Sequence, residues 1–275
     1  MSVRPARLLG ACVFTVGVLV AASGCQVAAH RAPSHQVSPA AKPAAEPAAT
    51  APASPPASAA AEPRSPAAGP GLSEAQARAA LISETDLGVP WVPAEGIATW
   101  RDGLLKATTE SPECQRLLDA LYADELLGAP TGTYAVTALD DGDDQAQLRY
   151  QVAAQRGADA EPALAWLRTL PQSCAQFTAT TTRSGPQTVQ VTAAELPQVG
   201  NDRQGLRITL TGQNPTEDGQ PSVLTLDVAV VRVGDDAIVL TSGALGTPPQ
   251  DAVGQALEVG AQRLAQVREQ GRLQA

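Results

Sequence analysis

Cysteine, carboxylate and tryptophan are the side chains with the most chemical scope in this 275-residue chain, because histidine and lysine are nearly missing. The two histidines, His30 and His35, both fall in an alanine- and proline-rich tail, so residues 72–275 contain none. That removes Ser-His-Asp and Cys-His catalysis, histidine-ligated zinc and a histidine pH switch from this part of the chain. Lys106 is the one lysine after Lys42, and neither GxxxxGK[ST], GxSxG nor SxxK occurs, which leaves phosphate cradles and acyl-enzyme chemistry without their usual parts. Carboxylates are plentiful: residues 72–275 hold 14 of the 19 basic residues and 26 of the 28 acidic ones, a net charge of −12. A surface so acidic argues against nucleic acid and against adhesion to an anionic bilayer. Asp140, Asp141, Asp143 and Asp144 crowd one turn around Gly142, but their spacing is not that of a DxDxDG calcium loop, and a solvated hairpin turn is the expected reading beside weak cation binding. No carboxylate pair can be nominated for acid catalysis, and neither a metal nor a cofactor is expected. Trp91 and Trp100 flank the loop VPWVPAEGIATW, where they either line a ligand cleft or simply pack in the core; Trp166 sits beside an apolar helical stripe and is expected to be core.

The remaining chemistry belongs to four cysteines. Arg4 and Arg7 precede the apolar run LLGACVFTVGVLV (Leu8–Val20), and AASGC ends it at Cys25. This three-part form is that of an export signal over residues 1–24, and the junction resembles the lipobox of bacterial lipoproteins, with Ala22 where leucine is commonest. The resemblance implies that Cys25 becomes the mature N-terminus and carries a lipid; an uncleaved anchor and plain secretion are the competing readings. Residues 25–71 then form a linker, with dense proline and no aromatic residue. In extended polyproline II form the 46 residues from Gln26 to Gly71 reach up to about 140 Å, enough to hold a domain well clear of a membrane.

Residues 72–275 are long enough for one domain with a substantial core. In SPECQRLLDALYADELL, Ser111 can cap, Pro112 suits the first helical position, and Cys114, Leu117, Leu118 and Leu121 share one face. In DAEPALAWLRTLPQSCAQF, Asp159 can cap a second helix that points Cys174 inward, with Pro171 expected to kink or end it near Leu170. Two core-facing cysteines in an exported protein most simply form one structural disulfide, with two buried free thiols as the alternative. Period-two segments predict a hairpin, TYAVTAL and QLRYQVAA around DDGDD, and further strands at TVQVTA, LRITLTG, SVLTLDVAVVRV and AIVLTS, the last two joined by Gly234-Asp235. An amphipathic helix runs from about Pro249 to Gln270. The expected fold is therefore α+β: an antiparallel sheet of about six strands with helices packed mainly on one face.

The opening ALISETDLGVPW, the helix with ECQRLL, the segment LPQSCAQF, the hairpin VVRVGDDAIVL and the terminal helix occur in an order that resembles the extracellular sensor domains of actinobacterial receptor kinases of the PknH type, and actinobacterial lipoproteins with a similar domain. The resemblance implies an antiparallel sheet with a cleft, a disulfide between helices and binding of an extracytoplasmic ligand. This chain has two cysteines in the domain where the kinase domain has four, and it has no kinase catalytic segment. The functional expectation is a non-catalytic, membrane-tethered, extracytoplasmic domain that binds a small or apolar ligand or an envelope protein. A lipid or glycolipid carrier is the alternative, requiring a cavity well above the roughly 300 to 1,000 Å³ of ordinary ligand sites. A histidine-independent hydrolase, requiring two facing carboxylates in the cleft, is the third.

Overall fold

The segment VLTLDVAVVRV explains the architecture. An exposed-face strand alternates apolar with polar, whereas this run is apolar at eight of its eleven positions and without a break from Val228 to Val231, the pattern of a strand covered on both sides. In the computed structural model, which describes residues 71–129, 132–143, 145–154, 157–215, 219–249 and 251–273, Leu224, Leu226, Val228 and Val230 enter one core cluster while Ala229 and Val231 enter a second on the other face of the sheet.

In chain order the elements are α1 (Glu74–Ala79), α2 (Glu84–Leu87), β1 (Val92–Pro93), a π-helical turn (Arg101–Leu105), β2 (Ala107–Thr108), α3 (Pro112–Ala123), β3 (Tyr134–Asp141), β4 (Ala146–Ala154), α4 (Gly157–Ser173), β5 (Gln176–Thr181), β6 (Gly185–Ala194), β7 (Asp202–Pro215), β8 (Pro221–Val233), β9 (Asp236–Leu245) and α5 (Ala252–Leu273). The described strands form one antiparallel sheet in the order β1-β3-β4-β9-β8-β7-β6-β5-β2. The fold is α+β as expected, but the sheet has nine strands rather than about six. β1 and β2 are two-residue pairings too short to carry a period, and β5 follows so closely on Cys174 that its alternation is hidden behind the helix.

The helices lie on both faces, which corrects the one-face expectation. The π-helical turn, α3 and α4 cover one side through Leu104, Leu117, Leu121, Leu164, Leu167 and Leu170. On the other, α1 and α5 cover β3, β4, β8 and β9 through Ala77, Ala256, Leu257 and Leu264. Pro171 neither kinks α4 to a stop nor ends it at Leu170: the helix runs on to Ser173, and the Cys174 N–H donates to the Leu170 carbonyl at 2.8 Å. Proline removes one backbone donor, and in the last turn that loss is confined to a single bond. No described helix is long and apolar enough to cross a membrane.

Ion pairs fasten the helices. Asp86 on α2 takes Arg263 of α5 on both oxygens, at 2.6 and 2.9 Å, and this guanidinium holds the Asp86 carboxyl below the usual carboxylate range. Asp236, the first residue of β9, is buried 3.0 Å from Arg268 of α5. Burial pushes its carboxyl up to about 6; Asp235 adds to the rise and Arg268 opposes it. A carboxyl whose folded value exceeds its unfolded one adds stability that is complete below the unfolded value near 3.8 and is lost as pH rises through 6. Asp86 and Asp202 carry the opposite sign, but their depressed values place that loss at lower pH. The melting temperature is therefore expected to rise on acidification from pH 7 to pH 5, and Asp236→Asn should flatten this part of the profile in calorimetry. An unchanged slope would sink the assignment.

Candidate functional site

A depression runs along the seam between α3 and α4. Pro112 opens α3 in the position where a missing N–H costs nothing. Ser111 does not cap the helix; its hydroxyl contacts Cys114 Sγ at 3.2 Å instead. Cys114 and Cys174 form the expected disulfide, with Cα atoms 5.7 Å apart, and so fix the start of α3 to the residue just after α4.

The other end of α3 is held by charge. Asp124 closes the helix in the left-handed region at φ 59°, a conformation aspartate tolerates better than most residues. Its carboxylate meets Arg101 and Arg149, each at 2.8 Å. Arg101, buried in the π-helical turn, also donates to the Leu121 and Tyr122 carbonyls at 3.0 and 2.9 Å, which satisfies the carbonyls orphaned at the helix end. A buried guanidinium needs this many partners to offset its desolvation. Nothing in the local sequence pattern marks Arg101, Asp124 and Arg149 as a set, because they come from a turn, a helix terminus and a strand.

Between these fixed ends lies a groove of about 590 Å³. Ala120, Ala123, Leu126, Leu127 and Ala163 supply apolar lining, and Gln115, Arg116, Asp119 and Glu125 the polar part. Trp166 forms part of the wall and is locked in place: its indole N–H donates to Glu113 Oε1 at 2.8 Å, and the Arg116 guanidinium sits 4.0 Å over the ring. Glu113 and Trp166 thus tie α3 to α4 independently of the disulfide. An apolar surface with few, fixed polar groups at this volume is the ordinary form of a small-molecule site.

Trp91 and Trp100 are not brought together. Trp91 is buried with α1 and α5, Trp100 with α3 and α4, on opposite faces of the sheet, so they form no common stacking surface. Trp100 lies against Gly243 of β9, where a Cβ would come within 2.5 Å of the indole, and it also lines a depression of about 370 Å³ beside Ile97 and Asp140. Trp166, expected as core alone, is at once largely buried and part of the groove wall. In the acidic turn, Asp140 accepts from Gln147 Nε2 at 2.7 Å and Asp141 from the Asp143 N–H at 3.0 Å, while Asp144 lies outside the described residues. Among the described residues no three metal-capable side chains cluster.

A second cleft, about 480 Å³, sits between the sheet and the start of α5, lined by Glu195, Arg207, Asp227, Asp251 and Glu258 among others. Both Asp227 oxygens accept from Arg207, at 2.7 and 2.9 Å, and this pairing raises the affinity of the guanidinium for its proton. Cys25, His30, His35 and the rest of residues 1–70, where an export signal and a linker are expected, lie outside the described residues.

No family model matches the chain, and no curated protein matches it. Among solved structures, the fold is similar to the crystal structure of the extracellular domain of PknH from Mycobacterium tuberculosis, with a TM-score of 0.42 and 14% sequence identity over 73% of this chain and 98% of that chain.

Proposed function

We propose that this protein is a lipid-anchored, extracytoplasmic and non-catalytic binding domain that holds a small apolar ligand in the groove between α3 and α4. The observation that carries the proposal is the groove itself: an apolar lining of about 590 Å³ whose walls are fixed by a disulfide, by the Glu113–Trp166 hydrogen bond and by the Arg101–Asp124–Arg149 cluster. Walls that do not have to be ordered on binding spare the ligand that entropic cost. The disulfide supports an oxidising compartment, and the AASGC junction supports attachment through Cys25. Two or more acyl chains there would suffice for stable anchoring.

The carrier reading asks for a cavity well beyond the ordinary range, whereas depressions among the described residues measure about 370, 480, 590 and 640 Å³. The hydrolase reading asks for two facing free carboxylates, and of the four in the cleft beside α5 Asp227 is not one, because Arg207 engages both its oxygens. Mass spectrometry of the protein taken from its own membranes tests both halves of the proposal. The mature N-terminal peptide should begin at a diacylglyceryl-modified Cys25, and an intact export segment in the mature protein would remove the anchor. The groove should carry a bound small molecule that is lost on filling it with Ala123→Trp.

A further inference from the structure

β5 runs along the sheet margin with only its last two residues paired on the outer side, Thr181 with Ala107 and Thr180 with Thr108 of β2. β2 ends there for a visible reason. The Gln115 side chain accepts from the Thr109 N–H at 2.8 Å and donates to the Ala107 carbonyl at 3.2 Å, standing in for a neighbouring strand, and Pro112 then starts α3. The chain therefore leaves the track beside β5, and a notch of about 640 Å³ opens there, lined by Thr108, Thr109, Glu110, Ser111, Phe177, Thr178 and Thr180.

The backbone along this notch is polarised in a defined way. The Ala175 carbonyl accepts from the Val191 N–H of β6, so residue 175 points its backbone groups inward. Strand alternation turns the N–H and C=O of Gln176 and Thr178 outward, and no described strand pairs with them. On the far margin β1 contains Pro93 and pairs against Asp140, the proline and charge that blunt an edge, whereas QFTATT has neither.

We propose that this notch is a strand-addition site for an extended peptide segment of an envelope protein, which continues the track of β2 antiparallel to β5 and places a basic side chain against Glu110. The open stretch Gln176–Ala179 takes about four residues, roughly 13 Å at ~3.3 Å per residue. A peptide residue opposite Phe177, which is half-buried on the core side, is apolar; those opposite the exposed Gln176 and Thr178 are polar. Exposed Glu110 supplies the charge. A second copy of this chain fits worse: its own edge strand, QFTATT, brings no basic side chain to Glu110.

The test uses the full chain in detergent and the acetylated, amidated hexapeptide KTVTVK, with amide hydrogen exchange as the readout. Saturating peptide is expected to slow exchange at Gln176 and Thr178 by about tenfold, an order set by pairing amides that are otherwise open to solvent. N-methylating one alternate set of peptide amides should abolish this protection, and methylating the other set should leave it. Thr178→Pro should lose peptide binding while keeping the fold, since the N–H it removes faces away from β6. Should that variant misfold, Glu110→Lys provides the second arm, shifting preference from KTVTVK to ETVTVE. Equal binding of both methylated sets, absence of protection at these amides, or protection that grows with protein concentration without peptide would each overturn the proposal.

Discussion

Replacing both Cys114 and Cys174 with alanine is expected to lower the unfolding free energy by on the order of 4 kcal/mol. The bridge closes a loop with a sequence separation of 60 that contains the β3–β4 hairpin and all of α4. In the chain-entropy model a loop of that length removes roughly 4 kcal/mol of freedom from the unfolded chain. Both half-cystines are about 1% exposed, so alanine rather than serine avoids burying a hydroxyl. The effect should also be regional. Hydrogen exchange should quicken across α3 and α4, where the bridge sits, and change least in α5, which packs in the other core. Urea titration of the wild type and the double variant measures the total. A loss below about 1 kcal/mol would mean that Glu113–Trp166 and the Arg101 cluster hold the seam on their own.

Gly260→Ala should destabilise the domain by about 3 kcal/mol, although alanine is ordinarily the better helix former by about 1 kcal/mol. A Cβ at residue 260 would come within 2.0 Å of Tyr150 Oη and 2.6 Å of Cζ. Tyr150 stands in β4 with no exposed surface, packed under α5 in a close-packed core. The added methyl must push α5 off the sheet. Tyr150 Oη has no hydrogen-bond partner among the described residues, and burial drives its ionisation far above the ordinary range. Tyr150→Phe alone should accordingly cost under about 1 kcal/mol, because no hydrogen bond is lost. Combined with Gly260→Ala it should recover part of the loss, the ring carbon at 2.6 Å preventing full rescue. Thermal unfolding of the four proteins in this double-mutant cycle gives the coupling directly. A stabilised Gly260→Ala would contradict the packing of α5 on Tyr150.

What can be read from the chain alone follows from where each signal lies. The disulfide could be read because Cys114 falls on the apolar face of α3 and Cys174 continues the apolar spacing of α4 one residue past its end. The β3–β4 hairpin could be read from alternation around DDGDD, and β8–β9 from Gly234-Asp235 between two apolar runs. The run VLTLDVAVVRV carried the evidence for helices on both faces, since a strand facing water on one side would not bury Ala229 and Val231 as well as Val228 and Val230. β1, β2 and the outer part of β5 are set by long-range pairing rather than by local pattern. The groove lies furthest from local reach. Its walls depend on Trp166 meeting Glu113 across 53 residues, and on Arg101 finding Asp124 and the carbonyls at the end of α3. The prominent tryptophans of the opening loop went instead to two separate cores.

Native mass spectrometry of the mature protein, taken from the cells that make it and compared with Ala123→Trp, tests the proposed binding groove most directly. Ala123 is exposed at the groove, so the larger side chain fills the space without disturbing either core. The wild type is expected to carry a small-molecule adduct that the variant lacks and to melt at the higher temperature while loaded, the two proteins melting alike once stripped of ligand. An adduct retained equally by both, or wild-type protein that is empty under conditions preserving noncovalent complexes, would contradict a ligand site between α3 and α4.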